Sequence, residues 1–161
     1  MTIQVGERIP QVTVRVMTAD GPLARTTDDI FKGKTVALVG VPGAFTPTCH
    51  RNHLPGYVQK ADEIKAGGID TIAITAVNDV FVMDAWAKAS GAQDIVFLAD
   101  GNGDLASALG LTMDGSGFGM GTRSRRYSMI VVDGVVKTLN IEEASGKAEA
   151  SGAENLLTCM V

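Results

Sequence analysis

One stretch, VPGAFTPTCH at residues 41–50, gathers most of the reactive chemistry of this chain. Cys49 is one of two cysteines in 161 residues, and it follows Thr46, Pro47 and Thr48. The thiolate is the nucleophile in cysteine chemistry, and a thiol ionises more readily at a helix N-terminus or beside a cation. Proline is favoured in the first turn of a helix, where its missing N–H costs nothing. A helix opening at Pro47 puts Cys49 in that turn, where unpaired N–H groups favour an anion. Thr46 can then cap the helix or offer its hydroxyl to a ligand. Position alone fits a buried, inert structural cysteine equally well.

Ionisation by itself cannot make a fast catalyst. A free thiol of pKa about 8.5 is only ~3% thiolate at pH 7. Complete ionisation therefore gains at most ~30-fold, about 2 kcal/mol. Intrinsic nucleophilicity also falls as the pKa falls. Oriented donors that stabilise charge on a departing atom must supply the rest. Arg123, Arg125 and Arg126 form the one basic cluster that could contribute. Strand alternation puts Arg126, Ser128 and Ile130 on one face and Arg125, Tyr127 and Met129 on the other. Only one of the adjacent arginines can enter a pocket, and periodicity does not say which.

Two other signals carry less. Cys49, His50 and His53 form a C-H-x-x-H cluster, but three ligands on one short stretch cannot close a structural zinc shell; no metal is expected, and His53 reads as a helix-packing residue with a satisfied hydrogen bond. The glycines of GSGFGMG, residues 115–121, precede an arginine-rich strand and not a helix, so the context of a dinucleotide fingerprint is missing.

The elements that must position Cys49 follow from pattern. Residues 12–16 read as a strand, and residues 26–31 as a short helix opened by a Thr-Thr-Asp-Asp cap. TVALVGV, residues 35–41, is a continuous apolar strand of the kind buried on both faces. A helix over 47–66 ends at Gly67-Gly68. Strands at 70–77 and 95–98 alternate with helices ending near Ser90 and Leu109. Strands at 126–132 and 135–141 pair through Asp133-Gly134, and a helix at 154–160 follows. This pattern implies one α/β domain over residues 1–161 with a mixed central sheet flanked by helices. Sites in such sheets form at the carboxyl ends of parallel strands, where residues 41–50 fall.

Composition sets the bounds. Hydrophobic residues make up 45% and charged residues 20%, as in ordinary globular chains. A net charge of -4 argues against nucleic acid as a partner. No segment approaches the ~18 apolar residues needed to span a bilayer, and the N-terminus shows no secretory pattern. The expectation is a soluble chain in a reducing compartment, the cytoplasm.

Pro42, Gly43, Thr46, Pro47, Thr48 and Cys49 resemble the active-site signature Pro-x-x-x-Thr-x-x-Cys of the peroxiredoxins. VPGAFTPTC followed by HLPGY resembles the type II, or five-type, subfamily, as do AVNDVFVMDAW (76–86), FLAD (97–100) and the segment 121–143. The resemblance implies a thioredoxin-like fold and reduction of hydrogen peroxide and alkyl hydroperoxides without a metal or organic cofactor. By position it implies that Cys49 attacks the peroxide, Thr46 hydrogen-bonds it, Pro42 shields the thiolate and Arg126 contacts both. It also implies a homodimer, with some of Phe45, Phe81, Trp86 and Phe118 as surface candidates; the core reading is preferred for Trp86. The resolving-cysteine position before the VND motif is Ile74 here, and Cys159 does not align cleanly with the C-terminal alternative. Recycling by glutathione, glutaredoxin or thioredoxin is therefore expected, with Cys159 a semi-exposed bystander.

Overall fold

A computed structural model describes residues 1–92, 94–143 and 148–160 of the chain. Thr13–Thr18 (β1) and Gly21–Thr26 (β2) form an antiparallel hairpin that leads into a short helix, Thr27–Phe31 (α1). The helix opens with a capping box: Thr26 Oγ1 accepts the Asp29 N–H, and the Asp29 carboxylate accepts the Thr26 N–H. Thr35–Gly40 (β3) follows, then a helical segment that becomes Leu54–Ala66 (α2), and Thr71–Ala76 (β4). Val80–Ala89 (α3), Val96–Ala99 (β5) and Asp104–Leu109 (α4) complete the alternating portion. Thr112–Asp114 (β6) and Thr122–Ser124 (β7) pair as a small separate hairpin around the glycine-rich loop. Tyr127–Val132 (β8), Val135–Ile141 (β9) and Ala153–Cys159 (α5) close the chain.

The main sheet has seven strands in the order β2-β1-β5-β4-β3-β8-β9. Strands β3, β4 and β5 are parallel and central, and the outer pairs are antiparallel. The unbroken apolar runs of the central strands have a direct cause. Ala37, Val39 and Val41 face one core, with Ile72 and Ile74 beside them, while Val36, Leu38 and Ala73 face the other. Both faces are covered, so no alternation with polar residues is needed. The first core carries α2, α3 and α5 and includes Cys49; α1 and α4 pack on the second. A mixed sheet flanked by helices is thus present as expected.

Gly40 shows how tightly the sheet closes behind the site. It pairs with Tyr127, and a β-carbon on Gly40 would fall inside the Tyr127 ring. At the far end of β8, Asp133 and Gly134 take φ of 48° and 81°, the paired positive values of a tight two-residue hairpin turn.

Several details differ from the sequence expectations. β2 was not foreseen, β8 opens at Tyr127 and not at residue 126, and the glycine-rich loop belongs to a hairpin. The helix does begin at Pro47, but Cys49–His53 form a π-helical turn before α2 proper.

Candidate active site

The carboxyl end of β3 hands the chain to the reactive segment. The Val41 N–H still bonds the Thr75 carbonyl at 3.0 Å, one step past the strand. Pro42 and Gly43 are buried and end the ladder. Asn78 Oδ1 then accepts the Ala44 N–H at 2.9 Å, tying this loop to the start of α3. Phe45 takes a left-handed φ of 64°. Such a backbone costs on the order of 1 kcal/mol or more and persists only where neighbours enforce it.

Thr46 is held from both sides. Its N–H and its hydroxyl donate to the Gly43 carbonyl at 3.4 and 2.7 Å, and its own carbonyl accepts the His50 N–H at 2.8 Å. The threonine therefore starts the helix through its backbone carbonyl. With the hydroxyl proton committed to Gly43, the lone pairs of Oγ1 remain to accept a proton from a ligand.

Cys49 is the third residue of the helix, counting from Pro47, and is fully buried. It belongs to the core cluster that contains Val41, Leu54 and Ile130. The Leu54 N–H bonds the Cys49 carbonyl five residues back, which defines the π turn. π turns recur at functional sites because the extra residue redirects the side chains that follow.

Here the redirected side chain is His53. Arg126 Nη1 donates to His53 Nδ1 at 2.9 Å, and both residues are buried. His53 Nε2 donates to the Ser151 carbonyl at 2.9 Å, an oxygen that also accepts the Tyr57 hydroxyl at 2.6 Å. Burial is the largest cause that lowers the His53 pKa, to about 4, with the Arg126 charge adding to it. A neutral imidazole protonated on Nε2 is the only form that can make both bonds. Ser151 in turn gives its N–H to Glu142 Oε2 at 2.7 Å, and the Glu142 N–H returns to the Arg126 carbonyl at 2.9 Å. Arg126, His53, Ser151 and Glu142 thus form a closed buried ring. It fixes the guanidinium against His53, which follows Cys49 by one helical turn.

Arg125 stands apart from this ring of side chains. It is partly exposed, its N–H bonds the Leu111 carbonyl at 2.7 Å, and its Nη2 makes a long 3.4 Å contact to the Glu142 carbonyl. Pro42 is buried at the start of the loop, and its carbonyl faces Arg123. His50 turns away from His53: its Nδ1 accepts the Trp86 Nε1–H at 3.1 Å, and the Phe45 ring sits 5.5 Å from it. Trp86 is fully buried, a core residue in this chain. The two imidazoles do not converge, and among the described residues no group of three or more His, Cys, Asp or Glu could hold a metal ion.

Pro42, Thr46 and Cys49, singled out in the sequence, lie together on the segment that leads from β3 into the helix. His53 is packed and hydrogen-bonded as expected; what sequence reasoning missed is its partners, Arg126 and Ser151, with Glu142 behind them, and Asn78 at the loop. The four-residue spacing from Cys49 to His53 was the one available signal for the ring around Arg126.

A buried thiol at a helix N-terminus beyond a parallel strand, one turn before the histidine that holds a buried guanidinium, is the arrangement of a thioredoxin-like thiol-redox protein. Residues 4–157 match the Redoxin family model. Peroxiredoxin-2E-2, chloroplastic, of Oryza sativa subsp. japonica is 46% identical over 165 residues, covering 99% of this chain and 73% of that protein. Peroxiredoxin-2C of the same plant is 41% identical over 160 residues, covering 98% of each. The crystal structure of reduced Prx3 in complex with hydrogen peroxide from Vibrio vulnificus matches with a TM-score of 0.95 at 48% identity, covering 99% of this chain and 100% of that one. The chain belongs to the redoxin family and, within it, to the peroxiredoxins of the type II, five-like kind. Thiol-dependent reduction of peroxides is the activity of that group.

Proposed function

We propose that this chain reduces hydrogen peroxide and alkyl hydroperoxides with Cys49 as the attacking sulfur and an external thiol as the electron source. The observation that carries this reading is the placement of Cys49 in the first helical turn, one turn before His53, the residue that holds Arg126. The Cys49 thiolate attacks one peroxide oxygen, an S–O bond forms and the O–O bond breaks. The departing oxygen takes a proton and leaves as water or alcohol, while sulfur is oxidised to sulfenic acid. Arg126 and the helix N–H groups stabilise the charge that moves onto that oxygen, and Thr46 Oγ1 accepts the hydrogen of the bound peroxide. Pro42 closes the pocket floor.

Recycling needs two thiols. The first attacks the sulfenic sulfur, forming a mixed disulfide and releasing water; the second frees Cys49 and leaves with the disulfide. Glutathione, glutaredoxin and thioredoxin all fit this chemistry. An internal disulfide fits less well, because Cys49 is buried and Cys159 is exposed. Two unpaired cysteines also suit a reducing compartment such as the cytoplasm.

A homodimer is part of the same proposal. Phe45, Phe81 and Phe118 are 46%, 66% and 84% exposed. Each lies close in the chain to the loop at residues 42–46 or to a residue touching it, namely Asn78 or Met120. Exposed aromatic residues grouped in this way mark interaction surfaces.

Trp86 offers the test, since its indole bonds the residue next to Cys49. Mixing reduced protein with peroxide in a stopped-flow fluorimeter should give a fast second-order phase. Cys49→Ser should remove that phase and lower turnover by more than about 10³-fold while leaving the fold intact. A folded Cys49→Ser protein with wild-type turnover would refute the assignment.

A further inference from the structure

Arg123 has no role in that scheme, yet it reaches the loop that carries Pro42, Gly43 and Thr46. It lies on β7, and its Nε donates to the Met120 carbonyl at 2.9 Å while Nη1 reaches the Pro42 carbonyl at 3.5 Å. Gly43 is what lets it come so near Thr46. A β-carbon on Gly43 would lie 3.1 Å from Arg123 Nη1 and 3.2 Å from Thr46 Cγ2. Guanidinium and threonine therefore face each other across a bare α-carbon.

The charge of Arg123 is unmatched. Among the described residues the ion pairs are Lys60–Glu63 and Lys88–Asp84, and neither involves it. The side chain is partly exposed, unlike buried Arg126. A guanidinium has five N–H donors; two backbone carbonyls occupy only Nε–H and one of those on Nη1. Both protons on Nη2 remain for a ligand. A cation left open in a chain of net charge -4 draws anions to one place on its surface.

We propose that Arg123 is a specificity-determining residue that binds a carboxylate of the substrate while the reacting atom lies at Cys49. The inference rests on the peroxidase reading given above. The planar fork of a guanidinium matches a carboxylate with two parallel hydrogen bonds. Either co-substrate can bring that group, a carboxylate-bearing hydroperoxide or a carboxylate-bearing thiol of the glutathione kind. The covalent steps are those already written, and Arg123 adds none.

Matched reagents separate the two sources and separate charge from loop support. For oxidation, the pair is a carboxylic acid hydroperoxide and its methyl ester; for reduction of the sulfenic acid, glutathione and its diethyl ester. Stopped-flow rates are compared in wild type, Arg123→Gln and Arg123→Lys. Wild type should prefer the acid of at least one pair by about tenfold, the size of a hydrogen bond to a charged group. Arg123→Gln should erase that preference, and Arg123→Lys should keep part of it. The pair that responds identifies the co-substrate. Because both members of a pair meet the same variant, a general loss from a disturbed loop cancels in the ratio. An acid-to-ester ratio equal in wild type and Arg123→Gln for both pairs would overturn the proposal and leave Arg123 a brace for the Pro42 loop. Wild type that hydrogen peroxide does not oxidise would instead overturn the peroxidase reading, and this inference with it.

Discussion

Cys49 and Cys159 carry the same functional group at opposite ends of two different helices. Cys49 lies in the first turn of its helix; Cys159 is the last residue of α5. Cys49 is fully buried in the core, and His53, one turn after it, joins Arg126, Ser151 and Glu142 in a buried ring. Cys159 is exposed, and its neighbour is Asn140, at 3.7 and 4.0 Å. The difference teaches that thiol chemistry in this protein is a property of the enclosing elements. A sulfur atom is the least distinctive part of the site.

The largest effect that can break this contrast belongs to Arg126. Arg126→Ala should slow oxidation of Cys49 by hydrogen peroxide about 10²-fold or more, the usual loss when one preorganised donor to a developing oxyanion is removed. Arg125→Ala, which loses a 3.4 Å contact to a backbone carbonyl, should change the rate only a few-fold. Rapid mixing of both variants with peroxide decides the matter. Equal losses would mean that the buried ring does not aim the guanidinium that matters.

A smaller effect sharpens the same contrast through His53. In the unfolded chain an imidazole titrates near 6.5, whereas burial lowers the folded His53 to about 4. Below pH 6.5 the unfolded state binds a proton that the native state refuses. The stability contributed by neutral His53 is therefore complete above pH 6.5 and is lost as the pH falls toward 4. The shift corresponds to about 3 kcal/mol. Urea unfolding of wild type should show that slope between pH 6.5 and 4, and His53→Gln should flatten it. Equal slopes in both proteins would show that the imidazole is not held neutral between Arg126 and Ser151.

These two residues also mark where the sequence stopped being readable. Thr46 and Cys49 are neighbours in the chain, so helix-start chemistry singled them out, and the resemblance to the family signature added Pro42. The ring around Arg126 joins residues 73 and 98 positions apart, and no local pattern encodes such distances. The central strands were legible because burial on both faces leaves an unbroken apolar run. β2 was not: GPLART is an edge strand with no buried residue, so it carries neither a run nor an alternation. The π turn was hidden for a different reason. A helix that shifts its hydrogen bonds by one residue keeps nearly the same composition, and only the partner of the Leu54 N–H reveals it.

The smallest expected effect is at Cys159, and it is the one that could collapse the contrast between the two thiols. A Cys49–Cys159 disulfide needs the two α-carbons within about 7 Å and the side chains pointing at each other. In this structure one side chain is buried and the other exposed. Moving α5 would require releasing Ser151, whose carbonyl holds His53 and Tyr57 and whose N–H is held by Glu142. Leaving such buried partners unpaired costs about 1–3 kcal/mol each. With an external thiol as reductant, Cys159→Ser should accordingly keep peroxidase turnover within about twofold of wild type, since an exposed side chain away from the site contributes little. Serine retains the capacity to bond Asn140, so the fold has no reason to change. After one equivalent of peroxide, intact mass of the wild type should show one added oxygen or a mixed disulfide at Cys49. A rapid loss of two protons with a Cys49–Cys159 crosslinked peptide, within or between chains, would show that the exposed thiol belongs to the catalytic cycle after all.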